Sequence, residues 1–262
     1  MTVTFISGAT GGIGKAFSFA CAKRGYDLFL TGRSEEKLSA LKSDIEKAHG
    51  VSVVTFACDL SDESERKALY GFARGKGLIV ERIINVAGVD TQLPFTEYSE
   101  EKLLFQIRVN VEATLSVTKN LLELKKGNAE VITISSMSGV SPMPYFAVYS
   151  GTKALLSSVF TSLHYELKGD GVKVTTVLPG GVYTRPDINE QIKQQGIWGK
   201  LSAKTPEFVA EKSLKAVKRN KIKYIPGFFN RVLNFFMKIT PKRIVLSFIA
   251  KRWKNQRKDA FK

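Results

Sequence analysis

The chain has 262 residues, 44% of them hydrophobic, and a formal net charge of +16, which is material for one full core. Residues 200–262 hold 18 Lys and Arg against 3 Asp and Glu, leaving 22 against 21 in residues 1–199, so the body is neutral, which argues against a nucleic-acid-binding body and turns the question of partners to the tail. Cys21, Cys58, His49 and His164 are all the cysteines and histidines there are, and they match no ligand spacing; a protein metal centre is not expected, and both cysteines, set in apolar runs, read as reduced core residues.

Short β-branched or apolar runs at 2–6, 27–31, 51–57, 82–85, 130–134, 173–177 and 221–225 alternate with amphipathic helical patterns near 13–25, 35–48, 62–74, 101–124, 148–168 and 206–219. The last helix opens on Thr205 as N-cap with Pro206 at its first position. Strand and helix alternating without a long polar linker predict an α/β fold, a single doubly wound parallel sheet with helices on both faces. The organisation read from the sequence is a catalytic domain over 1–226, including a substrate loop at 185–205, and a basic amphipathic extension over 227–262. Met1 stands one residue before the first strand, so no signal peptide, transit segment or N-terminal anchor is expected and the setting reads as cytoplasmic.

The first strand runs into "GATGGIG" at residues 8–14, at the carboxyl edge where such a sheet binds its ligand. Glycines there let the backbone approach a pyrophosphate, and the free N–H groups of the next helix meet its negative charge. Alone, the cluster also fits a strand-to-helix turn that holds nothing. The second strand ends in Leu30-Thr31-Gly32-Arg33. Glycine and then a cation stand where an acid would bind a free ribose 2'-hydroxyl; Arg33 pairs instead with a 2'-phosphate, which favours NADP(H) over NAD. A solvated arginine at a loop tip is the plainer reading of Arg33.

Tyr149 and Lys153 stand at i and i+4, on one face of a helical pattern. An ammonium beside a phenol favours the phenolate and lowers its pKa. Tyr98 and Lys102 repeat the spacing, and context separates the two pairs. Tyr149 lies thirteen residues beyond Ser136, at the end of the strand around 131–135, so that hydroxyl can face the same substrate oxygen. Tyr98 follows no such strand and reads as an ordinary helix start, with Lys102 solvated.

In chain order stand Ser7-Gly8-Ala9-Thr10-Gly11-Gly12-Ile13-Gly14, Asp59-Leu60, Asn85-Val86-Ala87-Gly88, Asn110 in "RVNVEAT", Ser136 in "ISSMSG", Tyr149 with Lys153, and Pro179-Gly180-Gly181-Val182-Tyr183-Thr184. This ordered set resembles the short-chain dehydrogenase/reductase family, nucleotide-dependent oxidoreductases on one Rossmann-type domain, over about residues 2–226. Val86 and Ser7 depart from the family's usual Asn and Thr, and should affect the cofactor bed rather than bond making. The resemblance implies that Tyr149 is the general acid in reduction and base in oxidation. It implies that Lys153 lowers the tyrosine pKa and binds the nicotinamide ribose, that Ser136 holds the substrate oxygen, and that Asn110 keeps a water in the proton relay. It implies a cofactor bed of Gly8, Thr10, Gly12, Ile13, Gly14, Arg33, Asp59, Leu60, Asn85, Ala87, Gly88, Tyr149, Lys153, Pro179, Gly180, Val182 and Thr184. Asp59 would face the adenine, and Val182 and Thr184 the nicotinamide amide. Taken singly, Ser136 and Asn110 read as caps, Asp59 as a helix-start acid and Tyr149 as a half-buried core aromatic; their joint order speaks against that.

Segments 89–95, 137–146 and 185–201 should line the substrate pocket, with Leu93, Phe95, Met137, Pro142, Met143, Tyr145, Phe146, Ile197 and Trp198 as walls and the third segment as a glycine-flanked mobile lid. Such walls suit a lipophilic ketone or secondary alcohol. The tail reads as two short amphipathic helices broken at Thr240-Pro241, each too short to span a bilayer. Lying on an anionic membrane, roofing the pocket and meeting a second subunit all remain open for it. The expected activity is NADP(H)-dependent interconversion of ketone and secondary alcohol on a hydroxysteroid or long-chain 3-oxoacyl substrate. The alternative is a non-catalytic NADP(H)-binding sensor at a membrane surface. The resemblance implies a homo-oligomer, dimer or tetramer, and nucleic acid is not an expected partner.

Overall fold

The computed structural model describes residues 1–194 and 196–255. Seven parallel strands, β1 (Thr2–Ile6), β2 (Leu28–Gly32), β3 (Val53–Ala57), β4 (Ile79–Asn85), β5 (Ala129–Ile134), β6 (Val172–Val177) and β7 (Lys223–Tyr224), form one sheet in the order β3-β2-β1-β4-β5-β6-β7. Around them run α1 (Gly12–Ala22), α2 (Glu35–His49), α3 (Glu63–Gly75), α4 (Glu100–Ile107), α5 (Ala113–Leu122), α6 (Ala147–Glu166), α7 (Pro186–Gln194), α8 (Gly196–Ser202), α9 (Pro206–Lys218), α10 (Phe228–Ile239) and α11 (Lys242–Trp253). The strand order reverses between β1 and β4, and a crevice opens at their carboxyl ends, as doubly wound sheets require.

Strands β1 to β6 feed two cores, because successive side chains leave a strand on opposite faces. Leu28 and Leu30 join Phe17 and Cys21 of α1, Leu38 and Ile45 of α2 and Val209, Leu214 and Val217 of α9. Phe29, one step along β2, joins Leu69 of α3, Val117 and Leu121 of α5 and Leu156 and Phe160 of α6. Both cysteines are free and buried, and burial pushes each thiol up to about 12. Thr4, Arg82 and Glu130 are in register across β1, β4 and β5. Arg82 donates to Thr4 Oγ1 at 2.9 Å and to Glu130 Oε2 at 2.7 Å. Burial disfavours the guanidinium charge, but Glu130 outweighs it and holds the Arg82 pKa above its ordinary value.

Helix ends follow local chemistry. Ser34, Asp62, Ser99 and Thr205 each accept an amide hydrogen bond from the first turn of the helix that they cap, and Pro206 stands at the start of α9 as expected. Gly50 ends α2 in the left-handed conformation at φ 65°.

Three segments differ from their sequence patterns. The long helix over 101–124 is α4, a π-helical turn at Arg108–Glu112 and α5. The expected substrate loop over 185–205 contains two short helices, α7 and α8, and the strand over 221–225 shortens to Lys223–Tyr224. The two tail helices meet at Thr240 and Pro241. Among the described residues no helix is long and apolar enough to cross a membrane.

Candidate active site

A cleft of about 580 Å³ lies along the carboxyl ends of the strands. Its floor is the turn from β1 into α1. Gly11 precedes α1 and no side chain caps that helix, so its first N–H groups are left for a ligand. A Cβ on Gly12 would stand 3.0 Å from Thr184, and one on Gly14 would collide with the Gly8 carbonyl and lie 2.8 Å from Ala9 Cα. The glycines therefore hold two walls of the cleft at backbone distance. Ser7 fixes the same corner, accepting from the amides of Val86 at 3.0 Å and Ala87 at 3.1 Å.

Gly8, Thr10, Gly12, Ile13, Gly14, Arg33, Asp59, Leu60, Ala87, Gly88, Ser136, Tyr149, Lys153, Pro179, Gly180, Val182 and Thr184 all line this cleft. Exposed Arg33 lies at one end of it, and Asp59 is held there by the Ser61 amide at 2.8 Å and hydroxyl at 2.7 Å. Gly32, beside Arg33, keeps the Thr10 hydroxyl 3.1 Å from where a Cβ would be; a side chain in place of this glycine would crowd the bed. Asn85 is buried and is not among the lining residues, donating to Thr118 Oγ1 at 2.8 Å and Thr133 Oγ1 at 3.2 Å.

Tyr149 and Lys153 come from the first turns of α6. The Tyr149 ring stacks on Phe146 with centroids 4.4 Å apart, and the Lys153 ammonium lies 5.7 Å from its centre. Lys153 is buried and donates to the Ile134 carbonyl at 2.9 Å. The close seating of α6 needs Gly139, where a Cβ would stand 2.7 Å from the Lys153 backbone. Ser135 ties the same turn down through the Lys153 carbonyl at 2.8 Å. Ser136 sits at the end of β5, and its hydroxyl accepts from the Ser138 amide at 3.0 Å. Burial raises the Tyr149 pKa, the Asp90 charge adds to this, and Ser136 opposes both. Burial also brings Lys153 down to about 8, against the pull of Asp90. A protonated phenol beside a hydroxyl and a lysine can give a proton to one oxygen atom and stabilise charge on it.

Asn110 reaches this cluster indirectly. It occupies the π-helical turn, a distortion frequent at functional positions. It accepts from the Val89 amide at 2.7 Å, and donates to the Val89 carbonyl at 2.9 Å and to Thr152 Oγ1 at 3.1 Å. It therefore brackets the end of β4 to α6, one residue from Lys153. A Cβ on Gly88 would lie 3.3 Å from both Asn110 Oδ1 and Lys153 Nζ.

A model of the short chain dehydrogenase family matches residues 2–195. The chain belongs to the short-chain dehydrogenase family. Its relatives include the very-long-chain 3-oxoacyl-CoA reductase of Kluyveromyces lactis, 35% identical over 182 residues, 66% of this chain and 53% of that one. The same enzyme of Pyrenophora tritici-repentis is 36% identical over 189 residues, 67% of this chain and 53% of the other. The chain thus spans about half the length of these curated relatives. A solved 7β-hydroxysteroid dehydrogenase superposes with a TM-score of 0.86 at 25% identity, covering 95% of this chain and 96% of that one.

Several residues of this short-chain dehydrogenase were not singled out from its sequence. Asp90 lines the cleft with Arg185, whose guanidinium is 3.8 Å from the Asp90 carboxylate; its place just after Gly88 at a strand's carboxyl edge was the available signal. Gln92, Phe105, Val109, Ile188 and Ile192 line it too, and so does Trp253 of the tail, whose aromatics the sequence left open as a roof for the pocket. Of the expected walls, Met137 and Phe146 are present, whereas Leu93, Phe95, Pro142, Met143, Tyr145 and Ile197 are not among the lining residues; the Trp198 side chain lies outside the described residues. Tyr98 is an ordinary structural tyrosine, its hydroxyl donating to the Thr91 carbonyl at 2.6 Å.

The extension is fastened to the site. Asn230 of α10 is buried, donates to the carbonyls of Ser202 at 2.9 Å and Pro226 at 2.8 Å, and stands 2.9 Å from where a Gly180 Cβ would be. Trp253 of α11 reaches the cleft itself.

Proposed function

We propose that this short-chain dehydrogenase interconverts a ketone and a secondary alcohol on a hydrophobic substrate of the hydroxysteroid or long-chain 3-oxoacyl kind, with NADP(H) as its cofactor. The observation that carries the reading is the meeting of Ser136, Tyr149 and Lys153 in one cleft, beneath apolar walls from Phe105, Val109, Phe146, Ile188, Ile192 and Trp253. The curated relatives' names and the 7β-hydroxysteroid dehydrogenase likeness support the substrate class.

The glycine floor and uncapped start of α1 suit a pyrophosphate, and Arg33 at the far end suits a 2'-phosphate. Bound NADPH supplies the hydride. Tyr149 gives its proton to the substrate oxygen as that atom gains negative charge, and Ser136 donates a hydrogen bond to the same atom. In the reverse direction Tyr149 takes the hydroxyl proton. Lys153, when charged, stabilises the phenolate left behind. Asn110 holds the β4 end against α6 so that these groups stay aligned. Apolar walls exclude water from the reacting oxygen.

The test is NADPH and NADH oxidation followed at 340 nm against steroid ketones, bile-acid ketones, 3-oxoacyl thioesters and simple aromatic ketones. Turnover with NADPH on one lipophilic class supports the reading. Tight NADPH binding with no turnover across the panel would favour the sensor alternative.

A further inference from the structure

We infer that α10 and α11 form a docking surface for an anionic phospholipid bilayer. Six large apolar side chains, Phe228, Phe235, Phe236, Ile239, Ile244 and Phe248, are each between 55% and 74% exposed. At about 100° per residue, Phe228, Phe235 and Ile239 fall within about 40° of one another, whereas buried Asn230 lies about 200° away. Asn230 binds α10 to the body. In α11, Ile244 and Phe248 share one side, and buried Ile249 with cleft-lining Trp253 lies on the other. Both helices are therefore anchored through one face and turn a second apolar face outward.

Charge identifies the occupant. Residues 228–255 contain seven Lys and Arg and no Asp or Glu, and Arg231, Lys238, Lys242, Arg243, Lys251, Arg252 and Lys254 are all exposed. A second copy meeting this face across a two-fold axis would set seven cations against seven. Nucleic acid would satisfy the charge but leave Ile239 and Ile244 without a partner. A bilayer with anionic headgroups satisfies both: apolar side chains enter the headgroup boundary, and each nearby cation adds to the attraction. α11 presents this surface on one side and Trp253 to the cleft on the other, so docking would place the cleft beside the phase where a lipophilic substrate dissolves; that last step rests on the function proposed above.

The experiment is co-sedimentation of the full chain with vesicles of phosphatidylcholine alone or mixed with phosphatidylglycerol, at low and high salt. Binding at least tenfold stronger to the mixed vesicles, weakened by salt and lost in a Phe235→Ser, Phe236→Ser variant, is expected. Folding is checked by circular dichroism, and a Phe248→Ser variant gives an independent reading from α11. Absence of vesicle binding, equal binding to both vesicle types, or full binding by the variants would overturn the proposal. So would a dimer that the same substitutions dissociate, or binding to a single-stranded RNA homopolymer in place of vesicles. Turnover of a short water-soluble ketone keeps the two readings apart. Normal turnover without vesicle binding sinks the surface alone, and vesicle binding without turnover on any ketone sinks the oxidoreductase reading alone.

Discussion

The Lys153 ammonium lies 5.7 Å from the centre of the Tyr149 ring and donates to the Ile134 carbonyl at 2.9 Å. One turn of α6 thus fixes a cation to the end of β5 and a phenol beside it. Tyr149→Phe keeps the ring that stacks on Phe146 and removes the proton. Ketone reduction should fall by about 100-fold or more, with an unchanged circular dichroism spectrum. Activity equal to the parent would defeat the assignment of the acid.

Lys153 also sets a pH dependence. Its folded pKa is lowered to about 8 by burial, so the charge beside Tyr149 is lost above that pH. We expect kcat/KM for NADPH, which reports groups of the free enzyme, to fall about tenfold per unit above about pH 8. Stability moves the other way: from about 8 to the ordinary value of 10.5 the unfolded chain keeps a proton that the folded chain has released, so this residue adds stability as pH rises through that window. Below it both states are protonated and the cost of burying the charge is present in full. Urea denaturation of Lys153→Met at pH 7.5 and 9.5 should show its stability gain over the parent shrinking at the higher pH; a constant difference would refute the shift.

Arg33→Ala should weaken NADPH binding by about tenfold to 100-fold, the worth of a charge-assisted hydrogen bond, and leave NADH almost unaffected. Fluorescence titration of both cofactors measures the ratio. Equal losses for the two would remove Arg33 from 2'-phosphate recognition.

Much of this machinery is legible in residue order, and the parts that are not share a cause. The glycine turn is local, and so is the Tyr149–Lys153 spacing, so both can be seen in short windows. Asn85 entered the cofactor set through the family resemblance; its bond to Thr118, thirty-three positions later, is invisible in a short window. "RVNVE" continues the apolar rhythm of a helix, and nothing in that rhythm marks a π turn. The segment over 185–205, with Pro186, Gly196 and Gly199 around polar residues, reads as a loop by propensity, yet it folds as two short helices. Trp253 belongs to the cleft through tertiary packing alone.

Gly14→Ala places a Cβ against the Gly8 carbonyl and 2.8 Å from Ala9 Cα. The turn has to move, at a cost of about 3 kcal/mol, and the variant should melt lower and fail to bind either cofactor. A purified Gly14→Ala protein with parental melting temperature and NADPH affinity would show that the close approach is not needed.

Asn230→Ala leaves the carbonyls of Ser202 and Pro226 without their donor. Each loss is worth about 1–3 kcal/mol when buried, so the melting temperature should drop. The same change should also raise KM for NADPH, because Gly180 packs on this side chain. A lower melting temperature with an unaltered KM would mean that α10 stabilises the fold without supporting the cofactor loop.

The two margins of the sheet each carry a feature that hinders a further strand. At β3 the outward amide and carbonyl of Val53 are already engaged by Glu46 and Lys42 at 3.0 and 2.5 Å. At β7 only Lys223 and Tyr224 are paired, and Pro226 two positions on has no amide hydrogen to offer. An unoccupied margin is where sheet proteins add foreign strands and grow into aggregates. The same seven strands that build the cleft thus leave few places at their margins for a foreign strand to begin an amyloid-like stack.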